Sequence, residues 1–555
     1  MSQDLLSQIY NAFDPFEPLP AGDPAYVDCA EVRGDTNILV DLGNKLLRSD
    51  RMVCQLYAGH RGGGKSTELL RLKDHLEKKG CVVVYFAADE DDIDPEDAQY
   101  TDILLSCTRH LLEDLKNADP APILGWLSDR WQDLKNLAFT KISFEKTEIT
   151  QLVRIRESTR IPNTRQNVRE RINSDTVKLL DMLNDFIEDA KRKMPRGKSQ
   201  LVVIADNIDR IVPIPQQNGR TNLDEIFLDG AQQLQSLNCH VIYTIPISMA
   251  YSSRAVDLRD IYGDPQVLPM IMVQTPDGKT NEAGLAKIME IIKKRVEPFA
   301  PNADLETEIF SSAESLQRLC FMSGGHVRNL MLLVRSAIDH IDSLPITEKA
   351  IQRAITQARD TYRRTVEQDE WELLAKVACT KQIDNNDDRY YKLLFSRCVL
   401  QYKYFDDERE LQPWYDVHPL IKGIQQFKDE FASIDKPISV PVSGKSSKGE
   451  VQIMGNEGNV YVSIQTPPEI KHPLLNKDPE LIKVMDEAEK LYAQEIDERN
   501  YLAASQIARD IHEMYEKVAE SLKMKQDSDE YSDAIQWSAY WKIRHQTNAR
   551  RIWRN

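Results

Sequence analysis

The residues with the most specific chemical pattern lie between positions 59 and 66, where the sequence reads Gly-His-Arg-Gly-Gly-Gly-Lys-Ser. In a G-x-x-x-x-G-K-S loop, glycines let backbone N–H groups turn towards phosphate oxygens, a lysine reaches the β- and γ-phosphates, and a hydroxyl contacts a magnesium ion. We therefore predict a phosphate-binding loop whose contacts come from Gly59, His60, Arg61, Gly62, Gly63, Gly64, Lys65, Ser66 and Thr67.

The segments on either side of this loop suit that interpretation. Val53–Ala58 is an apolar run of strand length, and Thr67–Leu72 has the spacing of a helix at its start. A helix that begins at the loop points the positive end of its dipole at bound phosphates. A second apolar run at Val82–Phe86 continues the pattern and predicts a βαβ unit with parallel strands.

An acidic residue follows the next strand-like run. Leu201–Ala205 is apolar, and Asp206 comes directly after it. A carboxylate at the end of a buried strand beside a phosphate loop is suited to hold Mg²⁺ through water. We predict that Asp206 and Ser66 form a magnesium site.

Two further runs predict the rest of the sheet. His240–Ile245 has Thr244 at its carboxyl end, where a hydroxyl can reach the γ-phosphate or the attacking water. Gln266–Val273 predicts one more strand, and Pro269 within it favours an edge position because proline has no N–H to donate.

Length, charge and cysteine content limit the class of protein. The 555 residues suit three or four domains of about 150 residues each. A net charge of −17 argues against a protein whose whole surface binds nucleic acid, although it does not exclude a local basic patch. The eight scattered cysteines favour reduced thiols. Apolar runs are shorter than the roughly 18 residues that span a bilayer, and the first residues carry no basic signal segment, so we expect a cytoplasmic protein without membrane contact.

The order of these segments predicts an α/β fold: a P-loop NTPase parallel sheet with a helical insert, a helical lid, a winged-helix module and a C-terminal β-hairpin plus helical region. The predicted parts are a lead-in at 1–25, the α/β core at 26–281 with its insert at 101–195, the lid at 282–365, the winged-helix-like unit at 366–430, a linker and β-hairpin at 436–466, and C-terminal helices at 475–555.

With this order of motifs the chain resembles the AAA+ and STAND branch of P-loop ATPases, including origin-recognition and NACHT-type ATPases. The resemblance runs over about residues 20–430 and includes Ser323–Leu330, which carries Gly-Gly-His-Val-Arg at the start of a lid helix. Ahead of the first core helix, Tyr26 and Val27 stand where such ATPases place a segment that contacts adenine. The C-terminal residues from 430 onwards resemble no family that we can name.

The resemblance implies roles for the motif residues. Lys65 and Ser66 would be the Walker A pair, and Asp206 the Walker B magnesium residue. Thr244 would stand at the sensor 1 position and Arg328 at sensor 2. ATP or ADP with Mg²⁺ would be the ligands.

The chain departs from the motor-type pattern in one residue that matters for hydrolysis. Asn207 stands where such motors carry a glutamate, and an amide is no general base near neutral pH. Asp209 matches the D-x-x-[DE] pattern of STAND proteins and is our predicted base. Slow hydrolysis, and a switch rather than a motor, would follow. Arg254 and Arg259 are the candidates for an arginine finger towards a neighbouring subunit, and surface arginines fit the same positions equally well.

Two functions fit these observations. The first is an ATP/ADP-dependent switch ATPase that oligomerises under nucleotide control and serves as a signalling or antiviral-defence scaffold for a separate protein effector, contacted through the C-terminal region. The alternative is a DNA-associated AAA+ ATPase, such as an origin-recognition-like loader or a transposition regulator. A metabolic P-loop kinase would not need the lid and winged helix.

Nucleic-acid binding would depend on two basic segments, each of which also fits a solvated helical face. The acidic turn of the predicted wing at 405–410 counts against DNA binding there. The basic and aromatic residues of the two segments are Arg154, Arg156, Arg160, Arg165, Arg169 and Arg171 in the insert, and Trp537, Trp541, Lys542, Arg544, Arg550, Arg551, Trp553 and Arg554 in the tail.

Overall fold

A computed structural model describes residues 3–89, 92–127, 172–195, 198, 200–216, 220–384, 387–406 and 408–434. The described residues belong to one compact unit. The predicted linker and hairpin (436–466), the predicted C-terminal helices (475–555) and the insert arginines at 154–171 lie outside them.

Five parallel strands form the central sheet. They are β1 (Cys54–Gly59), β2 (Cys81–Ala87), β3 (Gln200–Asp206), β4 (His240–Ile245) and β5 (Gln266–Leu268). Their order across the sheet is β2-β3-β4-β1-β5, and all neighbouring pairs are parallel. The predicted α/β class is confirmed, and the carboxyl ends of all five strands meet at one edge, where parallel sheets bind ligands.

The central strands are apolar along almost their whole length because helices cover both faces of the sheet. In β3, Leu201–Asp206 are all buried, and every residue of β4 is buried. A strand that faces solvent on one side would alternate instead. The continuous runs in the sequence therefore already indicated that these strands lie inside the molecule.

The predicted strand at Gln266–Val273 is wrong in length. Its position at the sheet edge is confirmed, but β5 ends at Leu268, directly before Pro269. Beyond the proline the backbone changes partner: the Met270 N–H donates to the Gln401 carbonyl, and the Met272 N–H donates to the Val32 carbonyl. The segment leaves the sheet because other parts of the chain satisfy its hydrogen bonds.

Helices surround the sheet and build the lid. The numbered helices are α1 (Gln3–Ala12), α2 (Lys65–Lys78), α3 (Tyr100–Asp114), α4 (Thr176–Arg192), α5 (Glu282–Val296), α6 (Ala313–Met322), α7 (Val327–Ile338), α8 (Glu348–Thr365), α9 (Glu370–Thr380), α10 (Arg389–Phe395) and α11 (Gln425–Ile434). Further helical segments span Asn44–Arg48, Asn222–Asp224, Ala231–Gln235, Ile247–Ala250, Ala255–Tyr262 and Pro419–Lys422.

A β-hairpin follows helices α9 and α10. Its strands are β6 (Val399–Phe405) and β7 (Leu411–Val417), antiparallel in a register that pairs Val399 with Val417. This helix–helix–hairpin order confirms the predicted winged-helix module as part of the fold. We call the hairpin β6–β7 the wing.

No helix within the described ranges is long and apolar enough to cross a membrane.

Candidate nucleotide-binding site

A cavity of about 560 Å³ opens at the carboxyl edge of the sheet, beside the predicted phosphate loop. Five segments line it: part of 14–33, the loop at 61–68, Tyr85 and Ala87 of β2, the turn at 206–210 and lid residues between 291 and 331. The lid residues come from helices α5 and α7. Segments that are distant in sequence thus enclose one volume at the place where a parallel sheet binds ligands.

The loop has the backbone conformation that a phosphate cradle requires. Gly64, at the start of α2, has φ +110°, and Gly62 has φ +88°. L-residues avoid these angles, so only glycine lets the loop turn its N–H groups inwards here without strain. Gly62 is also closely covered by the lid, because a Cβ atom there would lie 2.8 Å from the Cβ of Arg328.

Lys65 is held inside the loop by a carboxylate. Its Nζ atom lies 2.8 Å from Asp209 Oδ2, and each side chain is only 5% exposed. The same amino group donates to the carbonyls of Gly59 (2.7 Å) and His60 (3.1 Å). Asp209, the predicted general base, is therefore the counter-ion of the lysine in this state.

The predicted magnesium residues lie together. Asp206, 1% exposed, accepts hydrogen bonds from the Tyr85 hydroxyl at 2.9 Å and from the Asn207 N–H at 2.7 Å. Ser66, the other predicted magnesium residue, lines the same cavity. Burial, and then the charge of Asp209, raises the pKa of Asp206.

These oxygen donors fit Mg²⁺, which prefers a carboxylate, a hydroxyl and phosphate oxygens with retained waters. A magnesium ion between Ser66 and Asp206 would supply positive charge to a triphosphate and would favour the ionised form of Asp206. Within the described ranges, no group of three or more His, Cys, Asp or Glu side chains is arranged to hold a metal ion.

Tyr85 was not predicted from the sequence. It lies on β2, and β2 pairs with β3 in a register that places Ala87 opposite Asp206. Because side chains alternate along a strand, Tyr85 and Ala87 share a face. The sequence signal that could have identified it was a tyrosine in the apolar run Val82–Phe86, two positions before the end of the strand that pairs with β3.

Thr244 does not line the cavity. Its side chain is fully buried, and its Oγ1 atom accepts a hydrogen bond from the Ile208 N–H at 3.0 Å. The structure thus gives this residue a positioning role: it fixes the turn Ile208–Arg210, which follows Asn207 at φ +63°. Its contact with the γ-phosphate or the attacking water stays a prediction.

The predicted base-contacting residues Tyr26 and Val27 both line the cavity. The Tyr26 hydroxyl donates to Glu68 Oε1 at 3.2 Å, and the Arg71 guanidinium lies 4.2 Å from its ring centroid. Burial raises the pKa of this phenol. Helix α2 therefore holds the segment against the loop.

The sequence analysis missed a neighbouring stretch of the lead-in. Pro15 accepts a hydrogen bond from Arg328 Nε at 3.0 Å, and the Leu19 N–H donates to Thr67 Oγ1 at 3.2 Å. Phe16, 72% exposed, stands on the cavity wall. Residues 14–19 have no periodicity, so nothing in the sequence marked them as part of a site.

Two residues of the lid bind backbone carbonyls of the loop. The Arg328 N–H donates to the Gly62 carbonyl at 3.1 Å, and His326 Nε2 donates to the Arg61 carbonyl at 2.9 Å. Arg328 lines the cavity, and burial and the charge of Arg61 lower its pKa. Its contact with a nucleotide phosphate stays a prediction. The lid helix is thus tied to the phosphate loop at two consecutive carbonyls.

Three residues of the predicted loop, Gly59, His60 and Gly63, do not line the cavity. The His60 ring points towards the wing, where Nε2 accepts a hydrogen bond from the Gln401 N–H at 2.9 Å. Burial and the charge of Lys65 lower the pKa of His60 to about 3, so the ring is neutral. The Gly63 N–H donates to the His60 carbonyl and is turned into the loop.

The two candidate arginine fingers lie outside the cavity of their own chain. Arg254 pairs with Asp257 at 3.3 Å, and Arg259 pairs with Asp264 at 3.1 Å. Both pairs are exposed. Exposure fits an arginine that acts on a neighbouring subunit, and it fits an ordinary surface arginine equally well.

No model of a protein family and no curated protein matches the chain in sequence. Solved structures do resemble it. The ORC1 protein of Aeropyrum pernix, solved in complex with DNA, is 12% identical, with 77% of this chain and 97% of that chain covered at a TM-score of 0.33. A Walker-type ATPase of Pyrococcus abyssi is 13% identical (74% and 98% covered, TM-score 0.36), and Cdc6p of Pyrobaculum aerophilum is 13% identical (76% and 98% covered, TM-score 0.33).

ORC1 is of the origin-recognition kind that the motif order resembles, so the predicted resemblance is confirmed as a resemblance. At this distance it carries no argument about activity or partners, and function has to follow from the geometry of the site itself.

Proposed function

We propose that this chain is an ATP/ADP-dependent switch ATPase of the AAA+/STAND type, with slow hydrolysis and nucleotide-controlled oligomerisation. The observation that carries the proposal is the buried ion pair between Lys65 of the glycine-rich loop and Asp209 of the turn after β3. A P-loop lysine has to leave such a partner in order to reach the β- and γ-phosphates. The bound nucleotide and the carboxylate therefore compete for one amino group.

This competition also bears on hydrolysis. Asp209 can accept a proton from water only once its carboxylate is no longer bound to Lys65, and Asn207 offers no alternative base. Ser66 and Asp206 would hold Mg²⁺ against the phosphates. A base that becomes available only after a rearrangement supports slow turnover and a long-lived triphosphate state.

The contacts between loop and lid supply a route from the nucleotide to the rest of the chain. The carbonyls of Arg61 and Gly62 are bound by His326 and Arg328, and the His60 ring is bound by the wing. A phosphate that turns the loop backbone changes the geometry of all three contacts at once. Different populations of lid and wing positions with ATP and with ADP would follow.

A cytoplasmic homo-oligomer that recruits a separate effector through the C-terminal region, in signalling or antiviral defence, is the biological setting that we propose for this switch. The competing setting is a DNA-associated AAA+ ATPase. One observation on the described residues weighs against DNA binding by the wing: its turn carries exposed Glu408 and Glu410 beside Asp406.

Light scattering after gel filtration, with Mg·ADP, Mg·ATP or a slowly hydrolysed ATP analogue, tests the switch. We expect a larger mass with the analogue than with ADP. Equal masses in all nucleotide states would contradict nucleotide-controlled assembly. A DNA titration at several salt concentrations then separates the two settings, because phosphate contacts give binding that weakens steeply with salt.

A further inference from the structure

Helix α1 and the residues that follow it are fixed to the lid. Arg295 of α5 donates from Nη1 to the carbonyl of Ala12 at 2.6 Å, and Arg328 of α7 donates from Nε to the carbonyl of Pro15 at 3.0 Å. Phe13, which lies between these two carbonyls in sequence, is fully buried in the apolar cluster of the lid. The chain up to Pro15 is therefore held by two lid helices whose arginines lie 283 and 313 positions away.

The same segment then reaches the helix that follows the phosphate loop. The Leu19 N–H donates to Oγ1 of Thr67, in the first turn of α2, at 3.2 Å. Within the segment, the Phe16 N–H donates to Asp14 Oδ1 at 2.8 Å, which fixes the backbone locally. All residues from 14 to 19 line the cavity. We call residues 14–19 the strap, because they join the lid to α2 along the cavity wall.

The strap fixes the orientation of the Arg328 guanidinium. The Pro15 carbonyl binds its Nε–H, and its Cζ atom lies 5.8 Å from the centre of the Phe16 ring, within the range of a cation–π contact. Nε carries one of the five N–H donors of an arginine, so the two Nη groups carry the other four. An arginine that is free to change rotamer loses that freedom when it binds a phosphate, and one that is already held loses less. Contacts of this kind therefore raise affinity without touching the ligand.

We propose that the strap positions Arg328 for the terminal phosphate of a nucleoside triphosphate, with Pro15 and Phe16 as positioning residues. The proposal rests on the proposed function and deepens it, because it names the segment that prepares the lid for ATP rather than ADP. The Pro15 carbonyl and the Phe16 ring act through the guanidinium. Loss of the strap contacts should therefore reduce the preference for the triphosphate only while Arg328 is present.

Calorimetric titration of the full chain with Mg·ADP and with a non-hydrolysable ATP analogue tests this in a double-mutant cycle of Phe16→Ala and Arg328→Ala. An exposed cation–π contact corresponds to about two- to fivefold in affinity. We expect Phe16→Ala to weaken binding of the analogue by that factor and to leave the affinity for ADP unchanged. In the Arg328→Ala chain, which itself loses the preference for the analogue, Phe16→Ala should change neither affinity. Adding Pro15→Gly to Phe16→Ala should enlarge the loss, because it frees the backbone that carries the accepting carbonyl.

Two conservative variants separate the ring from its bulk. Phe16→Tyr keeps an aromatic face and should retain the wild-type preference, whereas Phe16→Leu keeps only apolar volume and should behave like Phe16→Ala. Phe299→Ala is the matched control, since this phenylalanine is 40% exposed and lies outside the cavity. It should leave both affinities unchanged. Phe16 is 72% exposed, so its variants should fold, and thermal unfolding verifies this for each chain.

Three results would each overturn the proposal. They are equal losses for ADP and the analogue in Phe16→Ala, a wild-type preference in Phe16→Ala or in Arg328→Ala, and an effect of Phe16→Ala that persists without Arg328. A wild-type chain that binds neither nucleotide would reject the proposed function itself, whereas tight binding by the wild type together with any of these three results would reject only this inference.

Discussion

Two regions of the molecule are held together by different chemistry. One is the end of the cavity at Lys65 and Asp209, which we propose binds phosphates and call the phosphate end, and the other is the junction of loop, lid and wing. At the phosphate end, ionised groups meet in a buried place, as Lys65 and Asp209 do. At the junction, the contacts are neutral: His60 accepts from the backbone N–H of Gln401, and His326 donates to a loop carbonyl. The two regions share the same eight-residue loop, which faces the cavity on one side and the junction on the other.

The difference shows how each region can respond to a ligand. A buried ion pair loses much free energy when one partner is taken away, so it reacts strongly to a competing anion. A neutral hydrogen bond contributes only about 1 kcal/mol net and can be exchanged for a bond to water. The phosphate end is therefore suited to detect charge, and the junction to be made and released as the loop moves.

Lys65→Ala should have the largest effect, because it removes one partner of the buried ion pair at the phosphate end. It removes the phosphate-binding amino group and leaves the Asp209 carboxylate buried without its cation, which costs about 3–5 kcal/mol in comparable pairs. We expect no measurable nucleotide binding by calorimetry, no nucleotide-dependent assembly, and a lower urea midpoint.

Adding Asp209→Asn to Lys65→Ala separates the two consequences. The double variant should regain most of the lost stability but none of the nucleotide binding, since the unpaired charge is gone and the amino group is still missing. Unchanged nucleotide affinity in Lys65→Ala would show that this cavity does not bind the phosphates.

Acidification should destabilise the junction, whose contacts are neutral. His418 follows β7, and its Nε2 atom lies 2.8 Å from Nδ2 of Asn329 in the lid, so it belongs to the junction as well. Burial is the main cause that lowers the pKa of His60 and of His418 to about 3 and the pKa of His326 well below its usual value. In the unfolded chain these histidines take up protons near pH 6.5, whereas in the folded chain the rings stay neutral. The free energy of unfolding is therefore highest above that pH and falls as the pH drops below it. The slope is about 1.4 kcal/mol per pH unit for each histidine.

Urea unfolding between pH 7.5 and 5.5 measures this slope. His60→Gln should lower the number of protons taken up on unfolding by about one, and His60→Gln with His326→Gln by about two. A slope that stays the same in both variants would mean that the junction histidines are not the groups that titrate.

Asp209→Asn and Asn207→Ala test which residue of the turn serves hydrolysis. An amide at 209 cannot accept the proton, so we expect turnover to fall by about 100-fold or more. Asn207→Ala removes no base and only disfavours the left-handed conformation at φ +63°, at a cost of about 1–2 kcal/mol. Phosphate release at saturating Mg·ATP is the measurement, with Asn207→Gly as the unstrained control. A larger loss in Asn207→Ala than in Asp209→Asn would overturn the assignment of the base.

Tyr85→Phe should have the smallest effect and sharpens the description of the magnesium site. It removes one hydrogen bond to the Asp206 carboxylate, a bond that lowers the pKa of that group. The pKa should rise further, so Asp206 is ionised less often at mildly acidic pH. We expect the Mg²⁺ concentration for half-maximal hydrolysis to increase by about fivefold or less, and more at pH 6 than at pH 7.5. A midpoint equal to that of the wild type at both pH values would mean that Tyr85 does not support the ion.

Strands and loop were readable from the sequence because their signals are local. The apolar runs before Gly59 and before Asp206 are strands within one residue of the predicted bounds, and the glycines of the loop adopt the expected conformations. The prediction was wrong for the end of β5, where Met270 binds Gln401 of the wing instead of a neighbouring strand. Where β5 ends therefore depends on a contact between distant parts of the chain, which the pattern of neighbouring residues cannot indicate.

The sequence by itself identified the side chains that we propose bind phosphate and magnesium, since Lys65 and Ser66 follow the glycines at the spacing of a phosphate loop within eight positions. Only the tertiary structure decided what each group meets. Thr244 binds a residue 36 positions away, and Arg328 binds Pro15 across 313 positions. Such pairs depend on how distant elements pack, so local periodicity could identify the groups but not their partners.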